Sequence, residues 1–193
     1  MAGTKTNFWG RMLRAFGWSV DITAPYRRKC IICVAPHTSN YDFIIGLAAY
    51  RSLGRKACFL MKEFWFFFPL KYILKALGGI PVPNERGSAL SAQIIGRFKN
   101  ADSLNLAVTP EGTRSYRTRW RTGILYIAYG AHVPLQLGVI DYRHRKVIIH
   151  DEYTPTGDVE ADMLNIRRYY DAFKEAARYP EKFASSHDKE TTN

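Results

Sequence analysis

The sequence predicts a single α/β domain, a mostly parallel mixed sheet flanked by helices. Short apolar runs of strand length (Cys30 to Ala35, Ala57 to Met61, Leu104 to Val108) alternate with stretches whose apolar residues recur at helical spacing. Runs without polar alternation are what strands covered on both faces look like. Two of these runs end in loops that carry titratable residues, and strand-end loops are where an open α/β sheet builds its site. With 193 residues, 47% of them hydrophobic, the chain is long enough for one substantial core.

Residues 1–22 read as an N-terminal amphipathic segment. Phe8, Trp9, Met12, Leu13 and Phe16 share one helical stripe, with Arg11 and Arg14 off it. Such a stripe suits either a membrane interface, aromatics at headgroup depth and cations on anionic lipid, or the protein's own core. The domain proper is expected over 23–184, and the polar stretch 185–193 reads as a disordered tail.

The basic loop Tyr26-Arg27-Arg28-Lys29 leads into the first buried strand, which ends at Pro36. Helical periodicity begins at Asp42 (Phe43, Ile44, Leu47, Ala48), and Ser39 and Asn40 precede it as N-cap candidates. A second strand, Ala57 to Met61, runs into the aromatic cluster Phe64-Trp65-Phe66-Phe67-Phe68. Core is the default reading of that cluster; an acyl-chain slot and a membrane-dipping edge are the alternatives. Leu77-Gly78-Gly79-Ile80 reads as a helix end and glycine turn leading into a short strand. Ser88 to Ala101 is an amphipathic crossover helix returning the chain to the Leu104–Val108 strand. Gly123 to Ala131 reads as a helix, the stretch after Pro134 and Lys146 to His150 as strands, and Glu160 to Arg178 as a long helix. His132, His144 and His150 show no partner spacing.

The chemistry centres on Ala35-Pro36-His37-Thr38-Ser39-Asn40-Tyr41-Asp42, a strand-to-helix turn. Residues five apart lie on opposite faces of a strand and about 140° apart round a helix, so a turn is needed to bring His37 and Asp42 together. An aspartate accepting the Nδ1 proton leaves Nε2 as a base and stabilises the imidazolium. Taken alone, the spacing favours a plainer reading, a helix cap plus a histidine bonded to a backbone carbonyl. The second loop, Thr109-Pro110-Glu111-Gly112-Thr113-Arg114-Ser115, changes the balance.

Together the two stretches resemble the glycerolipid acyltransferases, whose first motif is Asn-His-x-x-x-x-Asp and whose third is Phe-Pro-Glu-Gly-Thr-Arg-Ser. Pro110 to Ser115 matches the third motif throughout; Pro36 replaces the asparagine of the first. Gly78 to Asn84 is similar to the second motif, Gly-x-Ile-x-x-x-Arg, with Asn84 in place of the arginine and Arg86 the nearest substitute. Val133-Pro134 is similar to the start of the fourth, Val-Pro-x-x-Pro, with Leu137 at its second proline.

The resemblance implies the glycerolipid acyltransferase fold and acyl transfer from a thioester to a lipid hydroxyl. His37 would be the base and Asp42 its partner. Ser39, Glu111, Gly112, Thr113, Arg114 and Arg86 would bind substrate. Apart from the resemblance, backbone N–H groups near Gly112 are candidates to stabilise the oxyanion. The donor would be acyl-CoA or acyl carrier protein. The acceptor would be a lysolipid, 1-acylglycerol-3-phosphate first, with another lysolipid or an acylated amino-acid lipid as the alternative that Asn84 raises. No cofactor or metal is expected, because a thioester is already activated.

Twenty-eight Lys and Arg against 17 Asp and Glu give a net charge of +11, which suits anionic partners: an anionic membrane surface, a phosphate-bearing substrate or an acidic carrier protein. The basic loop Tyr116 to Thr122 carries arginines around Trp120, yet no nucleic-acid-binding motif accompanies it, so no nucleic-acid partner is expected. A catalytically silent lipid-binding protein is the remaining alternative. Three cysteines, two of them in the first strand, suggest a reducing compartment and core packing instead of a disulfide framework. The sequence shows neither a run of eighteen apolar residues nor a signal-peptide pattern, so a cytoplasmic protein peripherally associated with the inner face of the membrane is expected.

Overall fold

The computed structural model describes residues 7–82 and 88–188. In chain order the elements are α1 (Phe8–Ala15), β1 (Ser19–Ile22), β2 (Lys29–Val34), α2 (Tyr41–Ser52), β3 (Cys58–Lys62), α3 (Leu70–Leu77), β4 (Gly79–Val82), α4 (Ser88–Asn100), β5 (Leu104–Val108), α5 (Gly123–Ala131), β6 (Leu135–Asp141), β7 (Lys146–Tyr153) and α6 (Val159–Asp171). The strands form one seven-stranded sheet in the order β1-β7-β6-β2-β5-β3-β4, parallel except for the β6–β7 pair. This is the expected single α/β domain.

Strand β2 lies at the centre and is buried on both faces, which is why its sequence is continuously apolar. Ile31 and Cys33 pack among α4, α5 and α6, while Cys30 and Ile32 pack on the opposite face beside Tyr50 and Ile149. Burial pushes the thiols of Cys30 and Cys33 up to about 12, so both are inert packing groups.

Several boundaries depart from the sequence-based expectation. The N-terminal segment does not end at residue 22 as a separate unit: Ser19–Ile22 is an edge strand in parallel register with Lys146–Ile149. Helix α1 packs on the domain through Leu13, which meets Ala48, Ala49 and Val147. Asn7 accepts from the Gly10 N–H as the N-cap of α1 and donates to the Arg51 and Ser52 carbonyls at the end of α2. Phe8 and Phe16 stay exposed.

The C-terminal helix is shorter than its periodicity suggested. Asp158 caps its start by accepting from the Glu160 and Ala161 N–H groups, and after Asp171 the chain tightens into a 3-10 turn, Lys174–Ala176. The Ala176 carbonyl is thereby presented to the Tyr142 N–H at 2.8 Å. Ser185 to Asp188, expected to begin a disordered tail, are instead tied down: Asp171 accepts from the Ser186 N–H and hydroxyl, and Asp188 accepts from the Ser185 N–H.

The aromatic cluster is not core. Phe64 and Phe68 are each 76% exposed, with Trp65, Phe67, Tyr72 and Ile73 exposed beside them on the 3-10 turn Glu63–Trp65 and on α3. His144 and His150 do have acidic partners, Asp141 at 2.6 Å and Asp21 at 3.3 Å; the second crosses from β7 to β1, a contact that sequence spacing cannot signal. Among the described residues no helix is long and apolar enough to cross a membrane.

Candidate active site

Strands β2 and β5 are neighbours in parallel register, Cys33 beside Val108, so the loops that follow them emerge side by side at one edge of the sheet. The β2 loop turns directly into α2. Asp42, in the first turn of α2, bends back over that loop: its Oδ2 accepts from the Thr38 and Ser39 N–H groups and lies 3.0 Å from His37 Nδ1. The pair that spacing alone left ambiguous is therefore formed, and the same carboxylate also holds the loop that precedes the helix. Nδ1 donates to Asp42, leaving Nε2 as the free ring nitrogen of a residue that lines the groove described below.

Glu111, at the tip of the β5 loop, is 3% exposed and accepts from the His37 N–H at 2.5 Å. Burial, with a smaller push from the Asp42 charge, raises its carboxyl to about 8 although the His37 N–H opposes the shift. It faces the histidine's backbone, not the groove. Gly112 sits at φ +65°, and a Cβ there would lie 2.1 Å from Arg121 Nε, so both backbone conformation and space require glycine. Its N–H donates to the Thr109 carbonyl at 3.1 Å and is occupied in that turn, so it is not itself one of the groups free for an oxyanion.

The other residues singled out from the sequence divide into two sets. Thr113 and Arg114 line the groove with Gly112, and Arg114 is exposed to solvent. Ser39 is buried and its hydroxyl accepts from the Tyr41 N–H at 3.2 Å, so the structure uses it at the start of α2 instead of in the groove; Asn40 makes no side-chain cap. Arg86 lies outside the described residues.

The groove has a volume of about 2120 Å³ and is mainly apolar. Its lining continues over both faces of the sheet: on one, α2 (Phe43, Leu47) stands over Ile32, Val34 and Ile140, and on the other lie Leu90, Ile95 and Ile124 of α4 and α5. Helix α2 buries Ala48, Ala49 and Tyr50 in its second half, where the Tyr50 hydroxyl donates to Asn105 Oδ1. In its first half Phe43 and Leu47 are half-buried and line the groove, and Ile44 is exposed. Arg114, Arg117, Arg119 and Arg121 rim it. Among the described residues no group of three or more His, Cys, Asp or Glu is placed to hold a metal ion.

A histidine base backed by an aspartate beside an apolar groove is equipped to take a proton from a hydroxyl and pass its oxygen to an acyl carbonyl. The family model for acyltransferases matches residues 20–140, which include both loops. The chain belongs to the acyltransferase family. As an acyltransferase it shares its fold with the 1-acyl-sn-glycerophosphate acyltransferase PlsC from Thermotoga maritima, with a TM-score of 0.58 at 20% identity over 86% of this chain and 77% of that one. No curated protein sequence matches it.

Sequence reading missed Tyr142. Its hydroxyl donates to Asp42 Oδ1 at 2.5 Å, across a hundred residues of chain. Its Trp18 neighbour and its bond to Ala176 were equally invisible, since nothing local couples them to the His37 turn. A tyrosine directly after a strand beside the site was the available signal.

Proposed function

We propose that this acyltransferase moves a fatty acyl group from acyl-CoA or acyl carrier protein to the hydroxyl of a lysophospholipid, 1-acylglycerol-3-phosphate first among them, giving phosphatidic acid. The observation that carries the reading is the His37–Asp42 pair at an apolar groove rimmed by arginines. His37 Nε2 takes the acceptor hydroxyl proton as its oxygen attacks the thioester carbonyl. The tetrahedral intermediate collapses, the C–S bond breaks, and the imidazolium returns the proton to the departing thiolate. The activated thioester needs no resident metal or cofactor in this scheme.

The apolar walls suit an acyl chain, and the arginine rim suits the phosphates of a donor or acceptor. The neighbouring fold's lysophosphatidate activity supports the same acceptor. Asn84, standing where an arginine is expected, favours a second acceptor reading, another lysolipid or an acylated amino-acid lipid. The exposed aromatics of residues 64–73, with Lys71 and Lys75 among and beside them, suit peripheral binding to an anionic membrane from its inner face.

The test is acyl transfer by the purified protein from labelled acyl-CoA and acyl carrier protein to a panel of lysolipids in vesicles, wild type beside His37→Ala. Label reaching lysophosphatidate and lost in the variant is the expected result. Transfer to a different lipid alone would move the enzyme to the second acceptor. No transfer to any acceptor from a folded wild type would sink the catalytic reading and leave a lipid-binding protein.

A further inference from the structure

We propose that Tyr142 is a positioning residue for the catalytic pair, its hydroxyl fixing the Asp42 carboxylate so that the opposite oxygen meets His37 Nδ1. The inference rests on the acyl-transfer reading of His37 and Asp42 and assigns a residue to it that lies outside the family-matched stretch, 20–140.

Asp42 is buried and its two oxygens have separate duties. Oδ2 is shared by His37 Nδ1 and by the Thr38 and Ser39 N–H groups, all at 3.0 Å. Three donors on one oxygen leave the carboxylate free to pivot about that oxygen; a donor on Oδ1 removes the freedom, and Tyr142 supplies it at 2.5 Å. The phenol is itself held from three sides. Its N–H donates to the Ala176 carbonyl at 2.8 Å, its ring meets Trp18 edge-to-face at 5.2 Å, and the Arg178 guanidinium stands 5.9 Å from the ring centre and 4.3 Å from that of Tyr41.

Trp18, Tyr142, Ala176 and Arg178 all fall outside the matched stretch, so the family match does not include this support. The titratable and charged groups around the contact are Asp42 and His37, Glu111, whose carboxyl feels the Asp42 charge, and Arg178 over the ring. Burial first and the Asp42 carboxylate second push the phenol up, which keeps it a donor throughout the working pH range.

A carboxylate that shares its charge with a phenol binds the imidazolium less tightly than one that does not. Two consequences follow for Tyr142→Phe, which keeps the ring and its packing. Turnover falls on the order of tenfold with the donor KM unchanged, because one charged hydrogen bond that orients the pair is gone. The acid limb of kcat/KM moves to higher pH, because the unshared carboxylate holds the proton on His37 more firmly.

The experiment compares wild type, Tyr142→Phe, Asp42→Asn and the double variant, full-length, over a pH series with the donor and acceptor found active, and follows the His37 Nδ1–H proton resonance of the same proteins by NMR. Expected are the turnover loss and displaced acid limb in Tyr142→Phe, a shifted Nδ1–H resonance, and less than about twofold further loss when Tyr142→Phe is added to Asp42→Asn. An unchanged pH profile and resonance, or an equal loss in both backgrounds, would overturn the proposal and make Tyr142 a packing residue. If no acceptor is used, the catalytic reading fails on its own, and the resonance still decides whether Tyr142 sets the pair's geometry.

Discussion

The two loops at the ends of β2 and β5 start from adjacent strands and are used in opposite ways. The β2 loop is a tight turn of six residues over which a buried carboxylate, Asp42 in the first turn of α2, collects four donors and faces the reacting imidazole. The β5 loop is long and basic, and its buried carboxyl, Glu111, turns away from the groove to accept the His37 N–H, while its arginines lie at the groove. The most specific stretch of sequence therefore contributes its acid to building the first loop and its cations to meeting a substrate. A motif residue can be indispensable without touching the reaction.

Substitutions separate these roles. Asp42→Asn should cost the most, about 10³-fold in kcat, since the amide offers His37 the wrong partner and no charge to balance the imidazolium. Steady-state kinetics with an unchanged melting curve checks it; a loss tenfold or smaller would break the division between the loops. Glu111→Ala should cost about 2 kcal/mol of stability, leaving the His37 N–H buried without an acceptor, and is read from urea denaturation. Arg114→Ala should raise the KM of the anionic substrate about tenfold with stability untouched, and wild-type KM should rise with salt.

The smallest effect sharpens the contrast in pH terms. The Glu111 carboxyl is raised from 4.5 to about 8 in the fold, so between these values the folded state holds a proton that the unfolded state has lost. Its contribution is fully present below pH 4.5 and disappears as pH climbs through about 8. Glu111→Gln, which keeps the acceptor oxygen and cannot ionise, should flatten the fall in melting temperature over that window. A slope identical to wild type would remove Glu111 as its source.

What could be read in advance was whatever depends on neighbours in sequence. The double-sided burial of β2 shows as an unbroken apolar run, the span of α5 follows from its periodicity, and the strand-turn-helix around His37 follows from the change of period at Asp42. Failures came where distant partners decide. Ser19–Ile22 is too short to announce itself, and it becomes a strand by pairing with β7 at the other end of the chain. Residues 64–68 are apolar enough for any core, yet periodicity does not say that the described residues leave Phe64, Trp65, Phe67 and Phe68 exposed. Beyond α6, Ala176 is bonded by the Tyr142 N–H, a contact no helix propensity contains.

The hold on Tyr142 also sets an order of events during synthesis. A ribosome that has released the chain through Tyr153 has made every motif residue, yet Ala176 and Arg178 are still to come, as are Tyr170, whose hydroxyl donates to the Cys33 carbonyl, and Tyr179, whose N–H donates to Thr38 Oγ1. The nascent protein at that stage carries the reacting groups without the parts that hold them in place. Full positioning of the pair therefore waits for the last twenty or so residues the structure describes, and a chain cut short before them would carry an intact motif set without these supports.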